Sequence, residues 1–256
     1  MISNPITGAQ YLLRGLRLLN TPGVRAYVVV PLLINIILFS LLFALVAGQF
    51  VTFIDWLLPT LPDWLGWLDW LLWLLFGVAA AIIVFFTFSI VANLVGAPFN
   101  GYLAAAVEAH LTGHKPAGPE RSIGAEVVIA LQSELRKLVY FLLWAALVLA
   151  LTALLSLTVV LAWLSPFLWA LFGAWMLAAE YMDYPMANHG LSFSEQRKRL
   201  AQQRLLSLGF GGATMVATLV PILQFLVMPA AVAGATALWM ERFAPPPQPL
   251  STESGG

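Results

Sequence analysis

Four stretches of this chain contain no Asp, Glu, Lys or Arg: Ala26 to Ile54, Trp70 to Val107, Leu138 to Ala179 and Leu205 to Met240. They cover about 29, 38, 42 and 36 positions. At 1.5 Å per residue, even the first would make a helix of about 43 Å, longer than the roughly 30 Å hydrocarbon core of a bilayer. Runs of this length read as transmembrane helices, so an all-α integral membrane protein is predicted. Composition agrees: 61% of residues are hydrophobic and only 9% charged, against about 25% charged in soluble domains. The formal net charge of zero excludes general nucleic-acid electrostatics. The chain has no cysteine, which removes disulfides, thiolate metal sites and cysteine nucleophiles. The first run is far too long for the apolar region of a signal peptide and is expected to remain as a span.

The polar intervals set the organisation. Residues 1–20 combine Ile6, Tyr11, Leu12, Leu16 and Leu19 with Arg14 and Arg17, which predicts an amphipathic helix at the membrane surface. A transmembrane helix over 22–54 and a long one over 64–112 follow, the latter with a kink expected in Asn93–Gly101, around Pro98. A helix and hairpin are expected over 122–180, with Ile123, Val127, Leu131, Leu135 and Leu138 at helical spacing. A second helix and hairpin are expected over 192–242, where Ser192 and Glu195 stand in capping-box register. Residues 1–244 thus read as one membrane domain, and the Pro/Ser/Gly-rich 245–256 as a disordered tail.

Charge gives the topology. All twelve basic residues lie in 1–25, 108–137, 180–204 or just after 240, and none lies between Asp55 and Asp69. Placing that one segment outside and every other polar segment, with both termini, in the cytoplasm obeys the positive-inside rule throughout. The third and fourth runs must then leave and return on the same side. Two spans and a turn need about 40 residues, and the fourth run, with Pro221 and Pro229, falls short. It is expected to be a re-entrant, partly penetrating hairpin. The third run is long enough to be either kind. Irregular backbone at that depth must be buried in protein or line a wet cavity.

The candidate site lies where the first run begins. Thr21 is a suitable N-cap and Pro22 a suitable first helical residue, so a helix is predicted to start here. The amides of Gly23, Val24 and Arg25 would then be free, at the positive end of the helix dipole and beside the Arg25 guanidinium. That combination makes an oxyanion site. An ordinary cap with a positive-inside arginine explains the same residues. Asn35 lies within the first span, and Asn93 and Asn100 share a helical face that Glu108 approaches. Together they read as a hydrated stripe, or the asparagines are interhelical hydrogen-bond partners; Glu108 could neutralise Arg25 or another arginine, or carry a proton. Asp183 and His189 could serve as an acid/base pair or as metal ligands. However, the chain has no HExxH, nucleophile elbow or phosphate loop. No metal or cofactor is expected, and the better use of Asp183, Tyr184 and Asn188 is a structural lock.

Taken together, Gly15-Leu16-Arg17, Pro22-Gly23-Val24-Arg25, Asn35, Ala97-Pro98-Phe99-Asn100-Gly101, Glu134 with Lys137 and Tyr140, Asp183-Tyr184-Pro185 and Asn188-His189 form a specific pattern. The chain resembles the CysZ-type sulfate permeases of bacteria and their etoposide-induced relatives in eukaryotes, from about residue 7 to residue 240. The resemblance implies two long transmembrane helices, two partly inserted helical hairpins, a cytoplasmic helical head and a homodimer or higher homo-oligomer in the bacterial inner membrane. It also implies sulfate bound at a Gly-Leu-Arg segment, matched here by Gly23-Val24-Arg25, for uptake that feeds cysteine synthesis. Ala26 stands where a second arginine is expected in some members. A non-transporting membrane scaffold is the alternative, and an enzyme acting on lipid head groups a third reading.

Overall fold

The computed structural model describes residues 4–57, 63–116 and 123–244, and every regular element among them is helical. In chain order they are α1 (Pro5–Leu18), α2 (Ala26–Leu57), α3 (Asp69–Thr112), α4 (Ile123–Ser156), α5 (Val159–Ala162), α6 (Ser165–Asn188), α7 (Phe193–Gln202), α8 (Arg204–Thr218) and α9 (Pro221–Leu238). A short 3-10 segment, Asp63–Leu68, precedes α3, and a π-helical turn, Trp239–Phe243, follows α9. The expected disordered tail over 245–256 lies outside the described residues.

Among the described residues four helices are long and apolar enough to cross a membrane, with spans at Ala26–Leu45, Trp64–Phe86, Leu131–Ser156 and Val160–Asn188. The third run therefore breaks around residues 157–164, and the candidate spans on either side continue past both of its ends. The fourth run breaks at Leu219 and Val220, and Pro221, which has no amide to donate, opens α9. Its first arm, α8, has 15 residues and is about 22 Å long. Pro229 stands inside α9 rather than at the turn. Helical assignment in α3 continues unbroken through Pro98.

The chain divides into two compact units, Ala26–Phe99 and the remainder. In the first, α2 and the described start of α3 bury none of their apolar span windows. In the second, α1, α6, α8 and α9 pack closely because glycines let backbones meet. A Cβ at Gly8 would overlap the Leu206 carbonyl, at Gly15 the Ala230 carbonyl, and at Gly211 the Ala174 carbonyl. These contacts bury Ala230 through Ala233 and Ala235 through Trp239 almost completely. They also show what covers α1: its Gly8, Tyr11, Leu12, Gly15 and Leu18 face packs on α8 and α9. Helical periodicity marks an apolar face without saying what covers it.

Polar contacts pin the elements of this second unit. The Tyr11 hydroxyl donates to Glu241 at 2.8 Å and accepts from Arg242 Nε at 3.3 Å, and Arg14 pairs with Glu241. Burial pushes the Tyr11 phenol up, the Arg242 bond opposing it. The Ser192–Glu195 capping box that opens α7 is present, with the carboxylate accepting from the Ser192 amide at 2.8 Å.

Candidate functional site

Residues 20–25 form the joint between α1 and α2. The Thr21 hydroxyl does not cap α2; it turns back and donates to the Leu18 carbonyl at 2.6 Å. The Thr21 carbonyl accepts from both Val24 and Arg25 amides, each at 3.2 Å. This corrects the expectation of three free amides: two are used within the turn. The cause is Gly23, whose φ of +87° lies outside the right-handed helical region, so the helix cannot begin at Pro22 and starts at Ala26. Among the described residues the Gly23 amide has no acceptor, and nothing lies within 4 Å of where its Cβ would stand. Val24 is fully buried and anchors the turn, while Pro22, Gly23 and Arg25 are exposed. Arg25 forms no ion pair among the described residues. The turn therefore offers one unpaired amide, one free guanidinium and an unobstructed approach, chemistry suited to a small oxyanion.

The polar residues of the predicted stripe are distributed between the two units. Asn35 belongs to α2; its Oδ1 is buried and has no hydrogen-bond partner among the described residues. Asn93 is helical, and its side chain lies outside the described set. Asn100 is buried, its amide donating to the Tyr184 hydroxyl at 3.3 Å and facing Met228 Sδ at 3.6 Å. Glu108 is buried and meets His189 Nε2 at 3.0 Å. The His189 ring in turn lies 5.5 Å from that of Trp239.

Asp183 and His189 are not brought together as a pair. Asp183 accepts from Lys137 Nζ at 2.8 Å and from Gln196 Nε2 at 2.7 Å. Lys137, only 3% exposed, also reaches Glu134 at 2.6 Å and Glu180 at 3.4 Å. One buried ammonium thus joins α4 to α6, and Gln196 extends the knot to α7. Asn188 donates to the Gly101 carbonyl at 3.0 Å, tying α6 to the end of α3. The structural lock extends further than the sequence reading had it. Lys137 was visible with Glu134 and Tyr140 in the pattern that carries the resemblance, but its convergence with residues more than forty positions away leaves no local signal. Among the described residues no group of three His, Cys, Asp or Glu is placed to hold a metal.

Helices of crossing length, a knot of buried polar contacts and an open cationic turn beside the first long helix define a helical membrane protein with a small-anion site as its candidate chemistry. The family model described as Sulfate transporter CysZ/Etoposide-induced protein 2.4 matches residues 11–229, and the chain belongs to that family. The Sulfate transporter CysZ of Pseudomonas paraeruginosa is 43% identical over 237 residues, covering 92% of this chain and 95% of its own length. That of Pseudomonas fluorescens strain Pf0-1 is 44% identical, covering 92% and 93%. The Pectobacterium atrosepticum protein of the same name is 39% identical over 238 residues, covering 93% and 86%.

Proposed function

We propose that this protein is a sulfate transporter that carries sulfate into the bacterial cell for cysteine synthesis. The observation that carries the reading is identity of about 40% to sulfate transporters along nearly the whole of both chains. Sulfate is captured at the α1–α2 joint, by the Gly23 amide and the Arg25 guanidinium, with Thr21 and Val24 holding the turn in shape. Asn35, Asn93, Asn100 and Glu108 are the polar residues assigned to the route beyond it. A dianion is favoured over chloride because an amide and a fork of guanidinium donors fit a tetrahedral oxyanion. The work is passage rather than reaction, and the protein operates in the inner membrane as a homodimer or higher homo-oligomer with both termini cytoplasmic.

In this reading α2 and α3 are full spans, and α8 and α9 form a hairpin that enters the bilayer and returns. The α4–α6 pair is the second such hairpin, although its arms have crossing length. Single cysteines at Leu219 and Val220, in an otherwise cysteine-free chain, are expected to resist impermeant thiol reagents applied from outside. Ready labelling would turn the hairpin into two full spans.

Uptake of labelled sulfate into liposomes holding the purified protein, wild type beside Arg25→Ala, tests the function and the site separately. Uptake lost in the variant places the anion at the α1–α2 joint. Equal uptake by both keeps transport and removes the site. No uptake by either, with the protein folded and inserted, removes transport.

A further inference from the structure

An open groove of about 760 Å³ runs between α4 and α6 and ends at α7 and α8. Its walls are apolar: Leu147 and Leu151 from α4 face Leu168 and Leu171 from α6. Both helices are of membrane-crossing length and hydropathy, so this part of the groove lies where acyl chains lie. The other end is different. Arg197, Lys198 and Arg204 line it, and none of the three forms an ion pair with a carboxylate among the described residues. The neighbouring carboxylate, Glu195, is engaged by the Ser192 hydroxyl and amide in the capping box. The Arg197 guanidinium is held over the Tyr140 ring at 4.3 Å and the Phe193 ring at 5.1 Å. Its Nε is buried and has no acceptor. The Tyr140 hydroxyl beneath it already accepts from Trp175 Nε1 at 3.0 Å. Stacking thus fixes the position of this cation, and among the described residues its Nε has no oxygen to donate to.

We propose that the groove binds an anionic phospholipid, with an acyl chain between α4 and α6 and its phosphate at Arg197, Lys198 and Arg204. The two halves of the groove have opposite chemistry in the order in which a phospholipid presents it, apolar chain then anion. A free oxyanion uses the cationic end alone and gains nothing from a long apolar trough. A second copy of the chain would have to bring carboxylates to the three cations and apolar side chains to the trough. A basic pocket between membrane helices beside the anionic cytoplasmic leaflet is a physically expected headgroup site. Arg197 supplies the position and the bidentate fork, while Lys198 and Arg204 are exposed and supply field. The lipid would also fasten α7 to the α4–α6 pair, which Lys137 already joins from within.

Native mass spectrometry of the purified full-length protein, offered equal amounts of palmitoyl-oleoyl phosphatidylglycerol and phosphatidylcholine, reads the proposal directly. Wild type is expected to retain the glycerol lipid by at least about tenfold over the choline lipid, each neutralised cation removing about fivefold of the preference. Arg197→Gln with Lys198→Gln and Arg204→Gln should bring the two lipids level. Should that variant fold poorly, Lys198→Gln with Arg204→Gln alone, at exposed positions, still lowers the preference. Leu147→Trp, which fills the trough, should reduce retention of both lipids. Equal retention by wild type, or an unchanged preference in the neutralised variants, overturns the assignment. So does displacement of the glycerol lipid by millimolar sulfate at constant ionic strength, which would make the groove a free-anion site. Loss of self-association in Leu147→Trp without loss of lipid would make it an interface between copies. None of these readings depends on whether Arg25 binds sulfate.

Discussion

Two regions of this molecule, α2 with the start of α3 and the second half of α9, are similarly apolar and opposite in fate. The span windows of α2 and of the start of α3 have hydropathies of 2.8 and 2.3 with none of the window buried. By contrast, Ala230 through Trp239 is almost wholly enclosed by protein, Gly234 included. Hydrophobicity does not separate them; side-chain size does. The exposed helix presents Leu33, Ile37, Leu41 and Phe43, whereas the buried one presents Ala230, Ala231, Ala233, Gly234 and Ala235. In a bilayer, lipid tails are as good a solvent for Leu as another Leu is, so apolar character alone does not drive helices together. Close backbone approach does, through dispersion contacts that only small residues permit. The polar contacts follow the same division. The Lys137 knot and the Glu108–His189 pair lie in the close-packed unit, while Asn35 of the other unit has an oxygen without a partner among the described residues.

The sharpest way to break the comparison is to attack the ionic knot of the packed unit. Lys137→Met leaves Asp183 and Glu180 facing each other without their shared cation. Breaking a buried pair by removing one partner costs about 3–5 kcal/mol, and that loss is expected here in thermal unfolding followed by tryptophan fluorescence in detergent. Adding Asp183→Asn and Glu180→Gln to Lys137→Met should recover a large part of it, because the uncompensated charges are then gone. A single variant that unfolds within about 1 kcal/mol of wild type would show that the knot adds no stability and would reduce the contrast to packing alone.

Packing is tested next. Gly15→Ala should gain up to about 1 kcal/mol in helix propensity. The new methyl, however, overlaps the Ala230 carbonyl and comes within 2.5 Å of the Gly234 amide nitrogen, both rigid backbone. Overpacking of this kind costs about 1–3 kcal/mol or more and wins. In the other unit Phe43 is 65% exposed, and Phe43→Ala is expected to change stability by no more than about 0.5 kcal/mol. If Gly15→Ala is neutral while Phe43→Ala is costly, the size argument is wrong and the exposed helix is held by something other than lipid.

How much of this could be read from the chain follows from the physics of each feature. The spans were legible because charge is excluded from lipid over a whole helix length, a signal that accumulates along the sequence. The division of the fourth run into two helices was legible from its prolines, one of which, Pro221, opens α9. The covering of α1 was not: Gly8 and Gly15 look like any helix glycines until Leu206 and Ala230 are seen against them. At the candidate site the Thr-Pro-Gly-Val-Arg segment led to the wrong hydrogen bonds. A positive φ at Gly23 costs nothing in sequence terms and leaves no mark there, yet it moves the helix start to Ala26 and occupies two of the three amides. Partners distant in the chain, such as Glu108 with His189, were present as separate candidates, and nothing local in the sequence joins them.

The smallest expected effect concerns a surface device of the packed unit, and it carries a pH signature. The Ser192 hydroxyl and amide hold the Glu195 carboxyl below its ordinary range. A carboxylate depressed on folding contributes stability that is complete above the ordinary glutamate range and vanishes as pH falls through its lower folded value. Glu195→Gln should therefore lower the unfolding temperature slightly at neutral pH, and the difference from wild type should close in acid rather than in base. Because the box starts α7, and α7 carries Gln196 into the Asp183 contact, the shift should grow when Gln196 is intact and shrink in a Gln196→Ala background. A difference that persists unchanged into strong acid would mean that Glu195 acts through something other than its charge, and that α7 is held to the packed unit from within rather than by its cap.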